Sequence, residues 1–328
     1  MGLPARDGTL TESARELVVG SELKRLLLLA GFLLCLVLGC APSPRDDGYA
    51  FLARYKDDWQ RTAPGHVMQA PMTEATPSAP VVRPSPTAPS QRDVVFIDPG
   101  HGGVDTGTIG TTTDGAEVEE KTIVLAIALR TANYLRRDGY DVVLSRTDDS
   151  LPGSTPADYS ADGQMLTPDG VLADLQRRID RANASHASVL LSIHLNGFSD
   201  PSVGGSETFY DASRSFGSRN QRFASLVQNS LIDAYRANGY TTPDRGVTDD
   251  EDLATESLGS LDGNYNHLVL LGPAVPGRLR PSQMPGALSE PLFLSNPAEA
   301  SAVSQPDMQD LIANAYVHAI EQFLQSNG

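Results

Sequence analysis

His101 and His194 stand in matching surroundings. The first closes Val-Val-Phe-Ile-Asp-Pro-Gly-His-Gly-Gly (94–103), a short apolar, β-branched run broken by a Pro-Gly turn. The second closes Val-Leu-Leu-Ser-Ile-His-Leu-Asn-Gly (189–197). A strand ending in such a turn lifts its last side chain out at the sheet edge, where ligands of α/β sheets sit. Imidazole nitrogens at two such ends, with a carboxylate to hand, suit a divalent ion, zinc foremost, and three protein ligands leave a fourth tetrahedral position for water. Glu119 and Glu120 open a helical stretch after the first histidine loop and offer that carboxylate. The same two residues also suit a helix N-terminus simply because the dipole favours negative charge there. On spacing alone both readings stay open, as does a structural role for either histidine.

A further carboxylate, Glu290, ends the apolar run in Met-Pro-Gly-Ala-Leu-Ser-Glu (284–290). Burial there is costly unless the group faces a polar cleft or a partner, which makes it a candidate general base beside the metal. Other chemistries lack their residues. A dinucleotide fingerprint built on Gly100 and Gly102 would need glycine where Asp105 stands, and no Gly-Lys-Ser/Thr follows. No Gly-x-Ser-x-Gly elbow occurs. Both cysteines, Cys35 and Cys40, lie near the N-terminus, so the rest of the chain has no thiolate and no disulfide. His66, His186, His267 and His318 lack a matching context and read as ordinary surface or core residues.

The elements that must position these groups follow an α/β alternation. Strands are expected over 94–98, 142–145, 189–194, 206–210, 268–271 and 288–290, each bounded by Gly, Pro or charge. Helical periodicity runs over 119–137, 175–184, 222–237 and, through Met308, Leu311, Ile312, Ala315, Ala319 and Phe323, the C-terminal stretch. The expected architecture is one α/β domain with a mostly parallel, about six-stranded sheet flanked by helices. Residues 246–266, acidic and without a core-forming period, read as a long loop.

Composition divides the 328 residues into three parts: a leader over 1–40, a Pro/Ser/Thr-rich linker over 41–91 and a globular domain over 92–328. The apolar run from Leu26 to Leu38, after Lys24 and Arg25, has the length of a signal-peptide core and is too short to span a bilayer. Val-Leu-Gly-Cys (37–40) resembles the lipobox of bacterial lipoproteins, which implies export and a membrane anchor through lipidated Cys40. With 41 acidic against 25 basic residues, a net charge of −16, the chain would repel nucleic-acid phosphates.

Taken in order, the motifs resemble the zinc-dependent N-acetylmuramoyl-L-alanine amidases of the amidase-3 type across residues 92–328. They are Ile-Asp-Pro-Gly-His-Gly-Gly (97–103), Asp-Thr-Gly (105–107), Glu-Lys (120–121), Ser-Arg-Thr-Asp (145–148), Arg178 with Ala182-Asn183, Ser-Ile-His-Leu-Asn-Gly (192–197), and Glu290 followed by Phe-Leu-Ser-Asn-Pro. The resemblance implies that His101, Glu120 and His194 bind Zn2+, Glu120 being chosen over Glu119 because the family's ligand directly precedes the lysine. It implies Glu290 as the catalytic glutamate, although Ala287-Leu-Ser before it and Pro291 after it depart from the family's usual flanks. Arg178 and Asn196, inside matched motifs, are expected to support the ligands or touch substrate, Arg178 through a salt bridge.

The implied reaction is hydrolysis of the amide between N-acetylmuramic acid and L-alanine in extracytoplasmic peptidoglycan, with an activating protein partner left open. A zinc carboxypeptidase acting on wall peptides and a non-catalytic wall-binding lipoprotein are the alternatives. The 246–271 stretch is longer than the family's usual link and is expected to gate substrate entry.

Overall fold

The computed structural model describes residues 93–252 and 265–326. Cys40, the leader, the linker and residues 253–264 of the proposed gate lie outside the described residues. In chain order the strands are β1 (Val94–Pro99), β2 (Ile109–Thr111), β3 (Glu117–Glu119), β4 (Asp141–Leu144), β5 (Val189–Ile193), β6 (Ser206–Tyr210), β7 (Asp244–Asp249) and β8 (Gly286–Glu290). The longer helices are α1 (Glu120–Arg137), α2 (Pro168–Ala184), α3 (Gly217–Ala237) and α5 (Pro306–Gln325), with a two-turn α4 (Pro297–Val303) between β8 and α5.

Six strands form one sheet in the order β4-β1-β5-β8-β6-β7, parallel throughout except for the β6–β8 pair. A parallel sheet is covered on both faces, so its strands must be apolar on both sides. The central strands obey this: Val95, Ile97, Val189, Leu191 and Ile193 point into a core shared with α1, α3 and α5. Phe96 and Leu190 point the other way, toward α2 and a run from Leu268 to Met284.

Two expectations need correction. Residues 268–271 are a turn, closed by the N–H groups of Leu271 and Gly272 donating to the Leu268 carbonyl. Val269, Leu270 and Leu271 are still buried, against the sheet's second face. A four-residue apolar run records burial and carries too few residues to show a period. The sixth strand is instead β7, which starts before the stretch read as loop and runs into it. As an edge strand of sequence Asp-Arg-Gly-Val-Thr-Asp, it has no apolar alternation to display. A small hairpin, β2–β3, was also not anticipated; it leads the chain from the His101 loop back to α1.

Direction matters for the site. β1, β5 and β8 run parallel, so the C-terminal ends carrying His101, His194 and Glu290 share one edge of the sheet. β6 is antiparallel to β8 and β7 is parallel to β6, so both end at the opposite edge. The near flank of residues 253–264 follows β7 from that opposite edge.

Candidate metal centre

Three donor atoms converge at the shared edge. His101 Nε2 lies 3.1 Å from Glu120 Oε1, His194 Nδ1 lies 3.1 Å from the same oxygen, and the two ring nitrogens are 3.1 Å apart. These residues come from the ends of β1 and β5 and the first residue of α1, as the matched strand ends anticipated. The carboxylate is that of Glu120; Glu119 is the residue preceding α1 and its side chain turns to Lys121 at 3.5 Å.

The local backbone is built around this triangle. His101 itself has φ +62°, a left-handed conformation uncommon for residues other than glycine, though histidine enters it more readily than most. A Cβ on Gly100 would sit 2.2 Å from the His194 ring, and one on Gly107, whose φ is +67°, would sit 2.7 Å from both Glu120 and His101. Glycine is required at both positions by the closeness of the His194, Glu120 and His101 side chains. Glu120 is fixed from behind: Oε2 accepts the Thr108 N–H at 2.8 Å and Oε1 the Leu195 N–H at 2.9 Å.

Arg178, at 4 % exposure, spends its guanidinium inside the protein. It donates to Asp174 (2.7 Å), to Asp98 and the Pro99 carbonyl (both 2.9 Å) and to the His101 carbonyl (2.7 Å). It thus braces the turn that presents His101. Arg146, buried on the other side, donates to the carbonyls of Pro99, Gly100 and Lys121, tying that turn to the first turn of α1.

Charge is strongly coupled in this region. Burial alone would lower the His101 pKa, but Asp105 and Glu120 hold it well above the usual imidazole range. Burial would raise Glu120, and the two histidines hold it well below the usual carboxylate range. Asp105 contributes through a 2.9 Å contact to His101 Nδ1.

Glu290 ends β8, one residue beyond Ser289, whose carbonyl accepts the His194 N–H at 2.9 Å. Asn196 is buried two residues past His194, and its backbone bridges to Leu292 and Leu294 just beyond Glu290. Sequence reasoning passed over three residues here. Asp105 lies four residues from His101 in the Asp-Thr-Gly motif, and Arg146 in Ser-Arg-Thr-Asp; both motifs were noted without a role. Glu207 faces Glu290 across the β6–β8 register, ion-paired with Arg245 at 3.3 Å. Burial foremost pushes its carboxyl up, Glu290 adds to this and Arg245 opposes it. Nothing in the sequence pairs 207 with 290 without the antiparallel register.

The donor set fits a tetrahedral divalent ion. Ligands held about 2.0–2.1 Å from such an ion lie about 3.3 Å from one another, close to the triangle found. Two imidazole nitrogens facing each other can share at most one proton, which a cation replaces without leaving either unsatisfied. One candidate ligand group among the described residues is this trio, and a second lies elsewhere in the fold.

Comparison with known proteins agrees with this geometry. The family model described as N-acetylmuramoyl-L-alanine amidase (Amidase_3) matches residues 95–322. The germination-specific N-acetylmuramoyl-L-alanine amidase of Bacillus subtilis is 27 % identical over 73 % of this chain and 83 % of its own length. The N-acetylmuramoyl-L-alanine amidase AmiC of Neisseria meningitidis is 28 % identical over 72 % of this chain, which spans 54 % of that relative. Among solved structures, the CwlD amidase from Clostridioides difficile in complex with the GerS lipoprotein is 26 % identical, with a TM-score of 0.52, covering 72 % of this chain and all of that one. The matched region takes in each strand end and helix start that brings His101, Glu120 and His194 together, and the chain belongs to the N-acetylmuramoyl-L-alanine amidase family.

Proposed function

We propose that this chain hydrolyses the amide bond between N-acetylmuramic acid and L-alanine in peptidoglycan, with zinc held by His101, Glu120 and His194 and with Glu290 as general base. The observation that carries the reading is the triangle of 3.1 Å contacts among three ligand atoms at the edge where Glu290 also ends. Family membership supplies the substrate.

Zinc at these residues would polarise the scissile carbonyl and lower the pKa of bound water toward ~7. Glu290 takes the proton of the attacking water on its carboxylate and returns it to the L-alanine nitrogen as the C–N bond breaks; without that proton the amine leaves very slowly. Asp105 accepts from His101 Nδ1–H, which leaves the Nε2 lone pair for the ion. Arg178 and Arg146 position the turn that carries His101. No covalent bond to the enzyme forms.

Hydrolysis of this substrate takes place outside the cytoplasm, in keeping with a signal-type leader and an anchor at lipidated Cys40. Metabolic lipid labelling tests the anchor, and an unlabelled mature chain rejects it. Full activity of the purified chain alone would dispense with an activating partner.

The reaction is tested by digesting purified sacculi and measuring zinc in the same preparation. Stem peptides released with free L-alanine amino groups support the amidase; shortened stems with the lactoyl amide intact mean a peptidase instead. Glu290→Gln should abolish release and keep its zinc, and an inactive chain without zinc in any preparation would overturn the reading.

A further inference from the structure

A second set of metal-ligating groups lies at the opposite sheet edge. Asp211 directly follows β6, Asp250 directly follows β7, and His267 lies beyond residues 253–264. His267 Nδ1 is 3.1 Å from Asp211 Oδ2 and 3.1 Å from Asp250 Oδ1. Both carboxylates are at 0 % exposure. Their outer oxygens are already engaged: Asp211 Oδ1 accepts from the N–H and hydroxyl of Ser213, at 2.7 and 2.6 Å, and Asp250 Oδ2 accepts the Leu268 N–H at 2.9 Å. The inner oxygens are thereby aimed at a common point.

Hydrogen bonding within the cluster cannot satisfy that arrangement. Nδ1 can carry at most one proton, and its hydrogen-bonding geometry is met only toward Asp250 Oδ1. Asp211 Oδ2 is buried and has no hydrogen-bond partner. A buried, ionised oxygen left without a donor bears its full desolvation cost. Arg214 adds positive charge nearby, but its guanidinium donates to the carbonyls of Leu271, Gly272 and Ser282. Two buried carboxylates facing one imidazole nitrogen, one of them with an oxygen that no donor reaches, leave room for a cation between them.

We propose that Asp211, Asp250 and His267 form a second site for a first-row divalent ion such as Zn2+ or Mn2+, separate from the His101 centre. Two carboxylates and one imidazole suit these ions better than Ca2+, which takes oxygen ligands. The far ring nitrogen supports the assignment: His267 Nε2 faces the Glu251 carboxylate at 3.7 Å, and a ligating histidine commonly turns its other nitrogen toward a carboxylate. An ion here ties the ends of β6 and β7 to the turn at 268–272, a structural role away from the hydrolytic edge.

The test uses the full chain carrying His101→Ala and His194→Ala, which removes the first centre, dialysed against Zn2+ or Mn2+ and assayed for bound metal. One equivalent is expected to remain and to be lost when Asp211→Asn is added; the unsubstituted chain should hold two equivalents of Zn2+. No metal on the His101→Ala, His194→Ala chain overturns the proposal, and so does an equivalent that survives both Asp211→Asn and Asp250→Asn. Circular dichroism checks that each variant folds, and His267→Gln replaces any that does not. Sacculus hydrolysis reports on the first centre alone, so failure of either reading is seen separately: Asp211→Asn in the unsubstituted chain should leave it unchanged.

Discussion

Asp105 Oδ2 lies 2.9 Å from His101 Nδ1, on the far side of the ring from Nε2, which faces Glu120 at 3.1 Å. The carboxylate fixes both the tautomer and the ring plane of a candidate ligand held in a left-handed backbone conformation. Such outer partners are worth about 10–100-fold in metal affinity. Asp105→Ala should weaken zinc binding by that factor in a competitive chelator titration. Asp105→Asn should recover part of the loss, since an amide oxygen still accepts from Nδ1–H. Equal affinity in the Ala variant and the unsubstituted chain would remove Asp105 from the site.

Gly100 is constrained by a side chain rather than by its own backbone angle. A methyl group there would occupy the space of the His194 ring, 2.2 Å from Cε1. The ring can yield only by leaving the triangle, and displacement of a reacting group by about 1 Å costs about 100-fold in rate. Gly100→Ala should therefore lower sacculus hydrolysis by about 100-fold and deplete zinc, with circular dichroism unchanged. Retained zinc at normal activity would mean that the ring has another place to go.

The candidate metal centre was legible because its three residues sit at ends of elements whose signals are local: two apolar strands broken by Gly and Pro, and a helix start. Pairing His101 with His194 needed only the rule that parallel strands end at one edge. What stayed hidden depends on contacts between distant segments. Glu207 meets Glu290 only through the one antiparallel pairing in the sheet. His267 looked ordinary because its partners, Asp211 and Asp250, end strands at the far edge, one of them a polar edge strand without a period to reveal it. Residues 268–271 misled because burial against the sheet's second face imposes apolar character without extended backbone.

Arg178 offers a test of bracing at a distance from the ligands. Four acceptors on two stretches of chain depend on its planar guanidinium: Asp174 in α2, and Asp98 and the carbonyls of Pro99 and His101 at the end of β1. Removing one partner of a buried ion pair leaves uncompensated charge and costs about 3–5 kcal/mol. Arg178→Met should lose about that much in urea unfolding, and Arg178→Lys should restore only part, because an ammonium cannot match the fork of donors. A loss below about 1 kcal/mol would mean that the carboxylates find other partners.

The same pair sets a pH dependence. Burial would raise the Asp98 pKa, but the Arg178 charge, with a hydrogen bond from the Ser192 hydroxyl, holds it below its ordinary 3.8. A carboxyl depressed in the folded state contributes stability above its unfolded pKa, and that contribution is lost as pH falls through the folded value. In Arg178→Met, burial prevails and the sign reverses: Asp98 ionised is then a cost, relieved when the group takes up a proton. The stability gap between the unsubstituted chain and Arg178→Met should be widest near neutral pH and narrow on acidification through the carboxylate range. Urea unfolding at a series of pH values measures that gap. A gap that stays constant from neutral pH down to about pH 4 would show that Arg178 stabilises through packing rather than through the Asp98 charge.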